Sequence, residues 1–260
     1  MIEIRSCSGF EELDACVRLQ IETWGYDKTD VIPRKIFLVA QKIGGQVIGA
    51  FDSEIPALPH SLVGFAMSLP GIKNSAGTQP QPYLHSHMLA VREGYRNRGL
   101  GVRLKREQRR EALSRGIRLM EWTFDPLEIK NAYLNIHRLG AVASRYLVDF
   151  YGVSSSRLQG GLPTDRLVAE WRLDSPRVQA VLDGRPPASQ GATEIKVSIR
   201  VPAAIYEWKS SEADRKRALA VQLENRERFQ AAFSRGLAVV GFVRNAAGDG
   251  IFQLGPLPET

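Results

Sequence analysis

The chain has 260 residues, 43% of them hydrophobic and 24% charged, with a formal net charge of +7. Those proportions suit a folded globular protein and exclude a collagen-like or intrinsically disordered chain. No apolar run reaches the roughly 20 residues of a membrane span, and Met1-Ile-Glu-Ile-Arg5 does not read as a signal peptide, so a cytoplasmic protein without a membrane partner is expected.

Ile2 to Arg5 reads as a short strand. Gly9 to Trp24 carries Phe10, Leu13, Val17 and Ile21 at helical spacing, with Ser8 as N-cap and Glu11 three residues on. Pro33 suits the first turn of a helix reaching Lys42. After a Gly44-Gly45 turn, Gln46–Phe51 and Leu62–Leu69 read as paired strands. Gly71 to Pro82 reads as an exposed loop. His85–Val91 is an apolar strand, and Val102–Arg115 is a basic helix closed by Gly116. Ile117–Phe124 is a strand. Asn131–Leu139 is a helix stopped at Gly140, and Arg166–Leu173 a strand. Ser175 to Ala192 turns to Pro, Gly, Ser and Gln and reads as a linker. A strand from Glu194 to Val201, a charged helix from Ser210 to Arg235 and a hairpin over Leu237–Arg244 and Ile251–Leu254 complete the chain. The domains expected are 1–174, a linker 175–192 and a C-terminal piece 193–260, too small to bury much core alone.

Between strand and helix lies Arg92-Glu-Gly-Tyr-Arg-Asn-Arg-Gly-Leu-Gly101. Glycines without Cβ let a backbone approach a ligand. The opening N–H groups of a helix lack intrahelical partners and favour an anion. Arg96 and Arg98 add donors suited to phosphate. The basic residues cluster here (Arg92, Arg96, Arg98, Arg103, Lys105, Arg106, Arg109, Arg110), so a nucleotide cofactor with several phosphates accounts for the charge as well as nucleic acid does. No aromatic-interleaved nucleic-acid motif is present, and no nucleic-acid partner is expected. Cys7 and Cys16 have neither the number nor the spacing of a metal site or disulfide framework. They are expected to pack as small apolar residues, and no metal is expected.

Arg96-x-x-Gly99-x-Gly101, with Val91 and Tyr95 before it and a helix after, resembles the acyl-CoA-binding signature of the GNAT acetyltransferase superfamily. The resemblance covers about residues 1–174 and implies an α/β (α+β) fold: a mixed, mostly antiparallel sheet flanked by helices, plus a smaller C-terminal α/β extension. Trp122–Glu128, Asn131–His137 and the region around Val197–Pro202 are similar to a bacterial subgroup known as predicted acetyltransferases, some of whose neighbours transfer succinyl groups. The resemblance implies that the backbone of Leu89, Ala90 and Val91 pairs with pantetheine and polarises the thioester. It implies that Arg96, Asn97, Arg98, Gly99, Leu100, Gly101 and Val102 hold the pyrophosphate, and that Asn131 contacts the pantetheine arm. The co-substrate is then acetyl-CoA or another acyl-CoA, and the acceptor a small amine or amino acid.

Amine acylation needs a base. His85, His87, Glu93 and Glu22 are candidates. The two histidines are favoured because they share a strand face and titrate near neutrality. Many members of the family use as general acid a tyrosine seven residues past an asparagine and shortly before a glycine; here that spacing is shorter, and aligning on Gly140 puts Ile136 at the tyrosine's place. Tyr133 is the first candidate in its place and Tyr146 the second, and aromatic packing is as good an account of either. Arg92 or Arg138 could receive an acceptor carboxylate. A CoA-binding module without efficient turnover is the alternative function, and a homodimer completed by the C-terminal segment stays open.

Overall fold

In the computed structural model, residues 1–74, 79–185 and 194–258 are described. The chain forms two compact units, Met1–Glu121 and Trp122–Thr260.

The first unit begins with β1 (Ile2–Ser6), α1 (Gly9–Trp24) and α2 (Arg34–Lys42). Three antiparallel strands follow: β2 (Gln46–Asp52), β3 (Leu62–Lys73) and β4 (Gln81–Val91). A 3-10 turn (Glu93–Tyr95) leads to α3 (Leu100–Ser114), and the unit ends within β5 (Leu119–Phe124), at Glu121. The sheet order is β1-β2-β3-β4-β5, antiparallel except where β4 meets β5. All seven residues of β2 are buried because both sheet faces are covered. Val47 and Phe51 join Leu13, Leu19 and Phe37 of α1 and α2 on one face. Ile48 and Ala50 join Leu100 and Leu104 of α3 on the other. This is the two-residue alternation of a strand buried on both sides. Gly45 is required by space: a Cβ there would lie 2.2 Å from the Ser68 carbonyl oxygen.

Several expectations change. Ser8 and Glu11 do not form the expected capping pair; Glu12 instead accepts the Ser8 N–H at 2.7 Å and two hydrogen bonds from Arg5. The expected loop Gly71–Pro82 is strand at both its ends, since β3 runs on to Lys73 and β4 starts at Gln81; residues 75–78 of that expectation lie outside the described residues. Cys7 and Cys16 are buried in the core with sulfurs 3.9 Å apart, as apolar packing requires.

The second unit holds α4 (Ile129–Ala132), continued as a π-turn over Tyr133–Arg138, then β6 (Val142–Leu147) and β7 (Arg166–Arg172). After α5 (Pro176–Leu182) come β8 (Val197–Val201), α6 (Ile205–Ser210), α7 (Arg215–Ser234), β9 (Leu237–Arg244) and β10 (Gly250–Pro256). Strand order is β7-β6-β9-β10-β8. The C-terminal strands thus extend the sheet begun by β6, through Ala143 opposite Val239. Neither β6 nor α6 was expected from the sequence. The long helix starts at Arg215 rather than Ser210. Residues 176–182, inside the stretch read as linker, form a helix whose N-cap Ser175 accepts the Val178 N–H at 3.3 Å; residues 186–192 of that stretch lie outside the described residues.

Two buried polar clusters hold this unit. Lys209 Nζ reaches Asp125 at 2.9 Å and Glu128 at 3.1 Å. Asp165, fully buried, accepts hydrogen bonds from Nε and Nη2 of Arg226, from the Asp149 N–H and from the Tyr146 hydroxyl. Among the described residues no helix is long and apolar enough to cross a membrane.

Candidate acyl-CoA site

The parallel ladder between β4 and β5 consists of Leu84 with Met120 and His85 with Glu121, and it ends at that pair. β4 continues for six residues, through Leu89, Ala90 and Val91, into the glycine loop. Its register with β3 shifts at one point: Met67 faces Met88 and Ser68 faces Ser86, leaving His87 as an extra residue. This bulge inverts the phase of the strand. Beyond it Leu89 and Val91 pack on the α3 side and Met88 and Ala90 on the α1–α2 side. Before it Ser86 points at α3, where its hydroxyl accepts from Lys105 Nζ at 2.6 Å and donates to Gln108 Oε1 at 3.1 Å.

The bulge rests on a buried polar layer. Ser68 donates to Gln46 Oε1 at 3.0 Å, and Gln46 donates to the Gln108 carbonyl at 2.9 Å and to Glu111. Burial pushes the Lys105 ammonium well below the ordinary lysine value. In the sequence Lys105 is one of the basic cluster, and its one distinguishing mark is its position beside the buried stripe Leu100, Leu104, Gln108, Ala112.

His85 and His87 lie on β4 with ring centroids 6.0 Å apart. Burial, then the neighbouring His87 and Lys105, lower His85 to about 4, against the opposing pull of Glu121. Burial alone lowers His87. Both rings are therefore neutral at pH 7, the state in which imidazole accepts a proton.

The loop enters α3 through a tight turn. Asn97 has φ +62 and Gly99 φ +75, both left-handed. A Cβ at Gly99 would meet nothing within 4 Å, so the glycine is there for its backbone angle, and the space above it is open. Arg103 N–H to the Gly99 carbonyl, at 3.1 Å, belongs to the first turn of α3, and the N–H groups of Leu100, Gly101 and Val102 precede it. Arg96, Asn97, Arg98 and Gly99 are exposed and Leu100 is buried. Arg96 Nε donates to the Val91 carbonyl at 3.0 Å, and Arg98 lies over the Tyr95 ring at 5.7 Å. Tyr95 in turn donates to Asp52 at 2.7 Å, which fixes the loop to β2. Open N–H groups, an open space and two exposed guanidiniums fit a polyphosphate.

Other candidates are already engaged. Arg92 donates to the Leu62 and Pro59 carbonyls and pairs with Glu22 at 3.5 Å, so neither serves the role considered for it without breaking those contacts. Glu93 stands exposed in the 3-10 turn.

The remaining candidates belong to the second unit. Tyr133 is half-buried and stacks on His137 with centroids 4.5 Å apart. Ile136 is buried and Arg138 is exposed. Tyr146 donates to Asp165 at 2.6 Å, and burial together with that bond raises its phenol far above the ordinary range. Asn131 is exposed and Asn135 buried, so the two do not share the helix face that four-residue spacing would give; the π-turn between them breaks that spacing. Among the described residues no group of three metal-ligating side chains comes together.

No curated protein matches the chain. Among solved structures, NAA60 of Arabidopsis thaliana in complex with acetyl-CoA is similar at TM-score 0.55 and 15% identity, covering 67% of this chain and 100% of that one. The same plant protein in complex with a bisubstrate analogue gives 0.52 at 16%, covering 66% and 97%. yncA of Salmonella typhimurium, solved with its cofactor acetyl-CoA, gives 0.50 at 16%, covering 67% and 95%. At these identities the likeness establishes the fold, a mixed and mostly antiparallel sheet flanked by helices. The model of the acetyltransferase (GNAT) family matches residues 9–134, from α1 through the signature loop to the π-turn, so that stretch of the chain is similar to a GNAT acetyltransferase domain.

Proposed function

We propose that the protein is an acyl-CoA-dependent N-acyltransferase, moving an acetyl or larger group such as succinyl to the amine of a small molecule or amino acid. The observation that carries this reading is the parallel ladder ending at His85 and Glu121, with β4 running on into Arg96–Val102 at the start of α3. Arg96, Asn97, Arg98, Gly99, Leu100, Gly101 and Val102 hold the pyrophosphate. The backbone of Leu89 to Val91 orients the pantetheine and stabilises charge developing on the thioester oxygen, a role worth a few kcal/mol when donors are preorganised. Neutral His87 or His85 takes the proton from the attacking amine. Tyr133 is the candidate donor to the departing thiolate, and Asn131 a contact for the pantetheine arm. The amine attacks directly, since both cysteines are buried in the core and burial raises the Cys16 thiol.

A CoA-binding module without efficient turnover is the second reading. Buried Ile136 stands where the family's tyrosine is expected, and Tyr146 is committed to Asp165.

Thiol release separates the two readings. Acetyl-CoA and succinyl-CoA are offered against amino acids, small amines and amine-bearing peptides, with Arg96→Ala/Gly99→Val alongside. Release that needs both acceptor and intact loop supports the transferase. CoA binding by calorimetry without release across the panel supports the module, and absence of binding removes both.

A further inference from the structure

α2 is apolar on its outer face as well as on its core face. Phe37 and Ala40 reach the core, yet Ile36, Leu38, Val39 and Ile43 at its outer face and end keep 39–53% of their surface exposed. At 100° per residue these four fall on one arc together with Lys35 and Lys42. α2 has no acidic residue, and neither lysine takes part in an ion pair among the described residues.

α1 beside it is complementary. Its outer face exposes Phe10 and Ile21 and carries Glu11, which takes part in no ion pair among the described residues, beside Asp14 and Glu22, which pair with Arg34 and Arg92, and the single Arg18. Arg34 of α2 ties the two helices, pairing with Asp14 at 2.8 Å and lying over the Phe10 ring at 4.8 Å. The two helices therefore offer adjacent apolar stripes of opposite charge. Clustered exposed apolar side chains mark an interaction site, whereas scattered ones do not.

We propose that this α1–α2 layer is a self-association surface, on which a second copy docks about a two-fold axis with α2 of one copy against α1 of the other. A two-fold axis presents each stripe to its complement twice. Lys35 and Lys42 then meet the Glu11 side of the partner copy, and Ile36, Val39 and Ile43 meet its Phe10 and Ile21. Packing α2 against α2 instead would gather four ammonium groups around the seam without a carboxylate. α1 and α2 span only roughly 24 and 13 Å at 1.5 Å per residue, so both helices are needed for a stable contact.

Sedimentation equilibrium of the full chain across the micromolar range tests this. A dimer is expected. Lys35→Glu/Lys42→Glu should weaken it by roughly a hundredfold through like-charge contact, as should Glu11→Lys, and the three changes together should restore it. Ile36→Ser/Val39→Ser should yield a monomer with an unchanged circular dichroism spectrum, which separates loss of the interface from loss of the fold. A wild-type monomer at every concentration overturns the proposal, as does a dimer indifferent to these variants. Binding to phosphatidylglycerol vesicles by a monomeric wild type, lost in Lys35→Glu/Lys42→Glu, would assign the face to an anionic lipid surface and overturn it equally.

Discussion

Tyr146 donates its phenolic hydrogen to Asp165 at 2.6 Å, and the same carboxylate is clamped by Arg226 at 2.8 and 3.0 Å. A phenol serving a buried ion pair is a structural group. Tyr146→Phe should lower stability by about 1–3 kcal/mol, read by urea unfolding, with kcat left within a few-fold. Tyr133→Phe should behave in the opposite way, with near-native stability and a reduced kcat. A Tyr146→Phe enzyme that folds normally but has lost turnover would reverse the two assignments.

The histidines fix a pH signature. Burial lowers both, His85 to about 4. A histidine depressed in the folded state favours folding above its unfolded value, near 6.5, and loses that contribution as pH falls towards the folded value. Thermal unfolding should therefore occur at lower temperature as pH drops from 6.5 towards 4, and His85→Gln should flatten that dependence. The acid limb of kcat/KM should lie below 6.5, and it should be lost in whichever of His85→Gln and His87→Gln removes the base.

The loop variants should separate charge from backbone. Arg98→Ala should raise KM for acyl-CoA by about tenfold or more, the worth of one charge-assisted hydrogen bond, and the effect should shrink at high salt. Gly99→Ala places a side chain at φ +75 and should cost about 1–2 kcal/mol of stability while weakening CoA, with little dependence on salt. Equal salt dependence in both would show that the turn and the arginines do not divide the work in this way.

Lys209→Met leaves Asp125 and Glu128 facing each other in the interior of the second unit, with no cation between them. A loss of about 3–5 kcal/mol is expected by denaturant titration. Lys209→Met/Asp125→Asn/Glu128→Gln should recover much of it, since the cost comes from unpaired charge and not from lost volume.

Much of the first unit was legible in the sequence because its signals are local. Phe10, Leu13, Val17 and Ile21 announce a helix, and the glycines beside Arg96 and Arg98 announce a phosphate-compatible turn. What escaped depends on partners far along the chain. Val142–Leu147 mixes Arg145 and Tyr146 into a short run, and becomes a strand by pairing with β7 and β9. α5 begins at a Ser175-Pro176 start that its Pro- and Gly-rich surroundings concealed. The π-turn after Ala132 has no sequence mark that distinguishes it from α-helix, so four-residue spacing from Asn131 does not place buried Asn135. The clustering of His85 with His87 followed from two-residue spacing alone. The bulge at His87 did not, because it depends on how Met67 and Ser68 register across the sheet.

That bulge governs what changes β4 can accept. Because the strand reverses phase at His87, its two halves are correct for their surroundings only while the extra residue stays. Deleting one residue there would restore ordinary alternation and force one half to turn over. Either Ser86 would leave Lys105 and Gln108, or Leu89 and Val91 would exchange sides with Met88 and Ala90 between two packed layers. The segment is thus tolerant in composition and intolerant in length: a different side chain at position 87 leaves the fold in place, whereas a missing one scrambles both cores of the first unit at once.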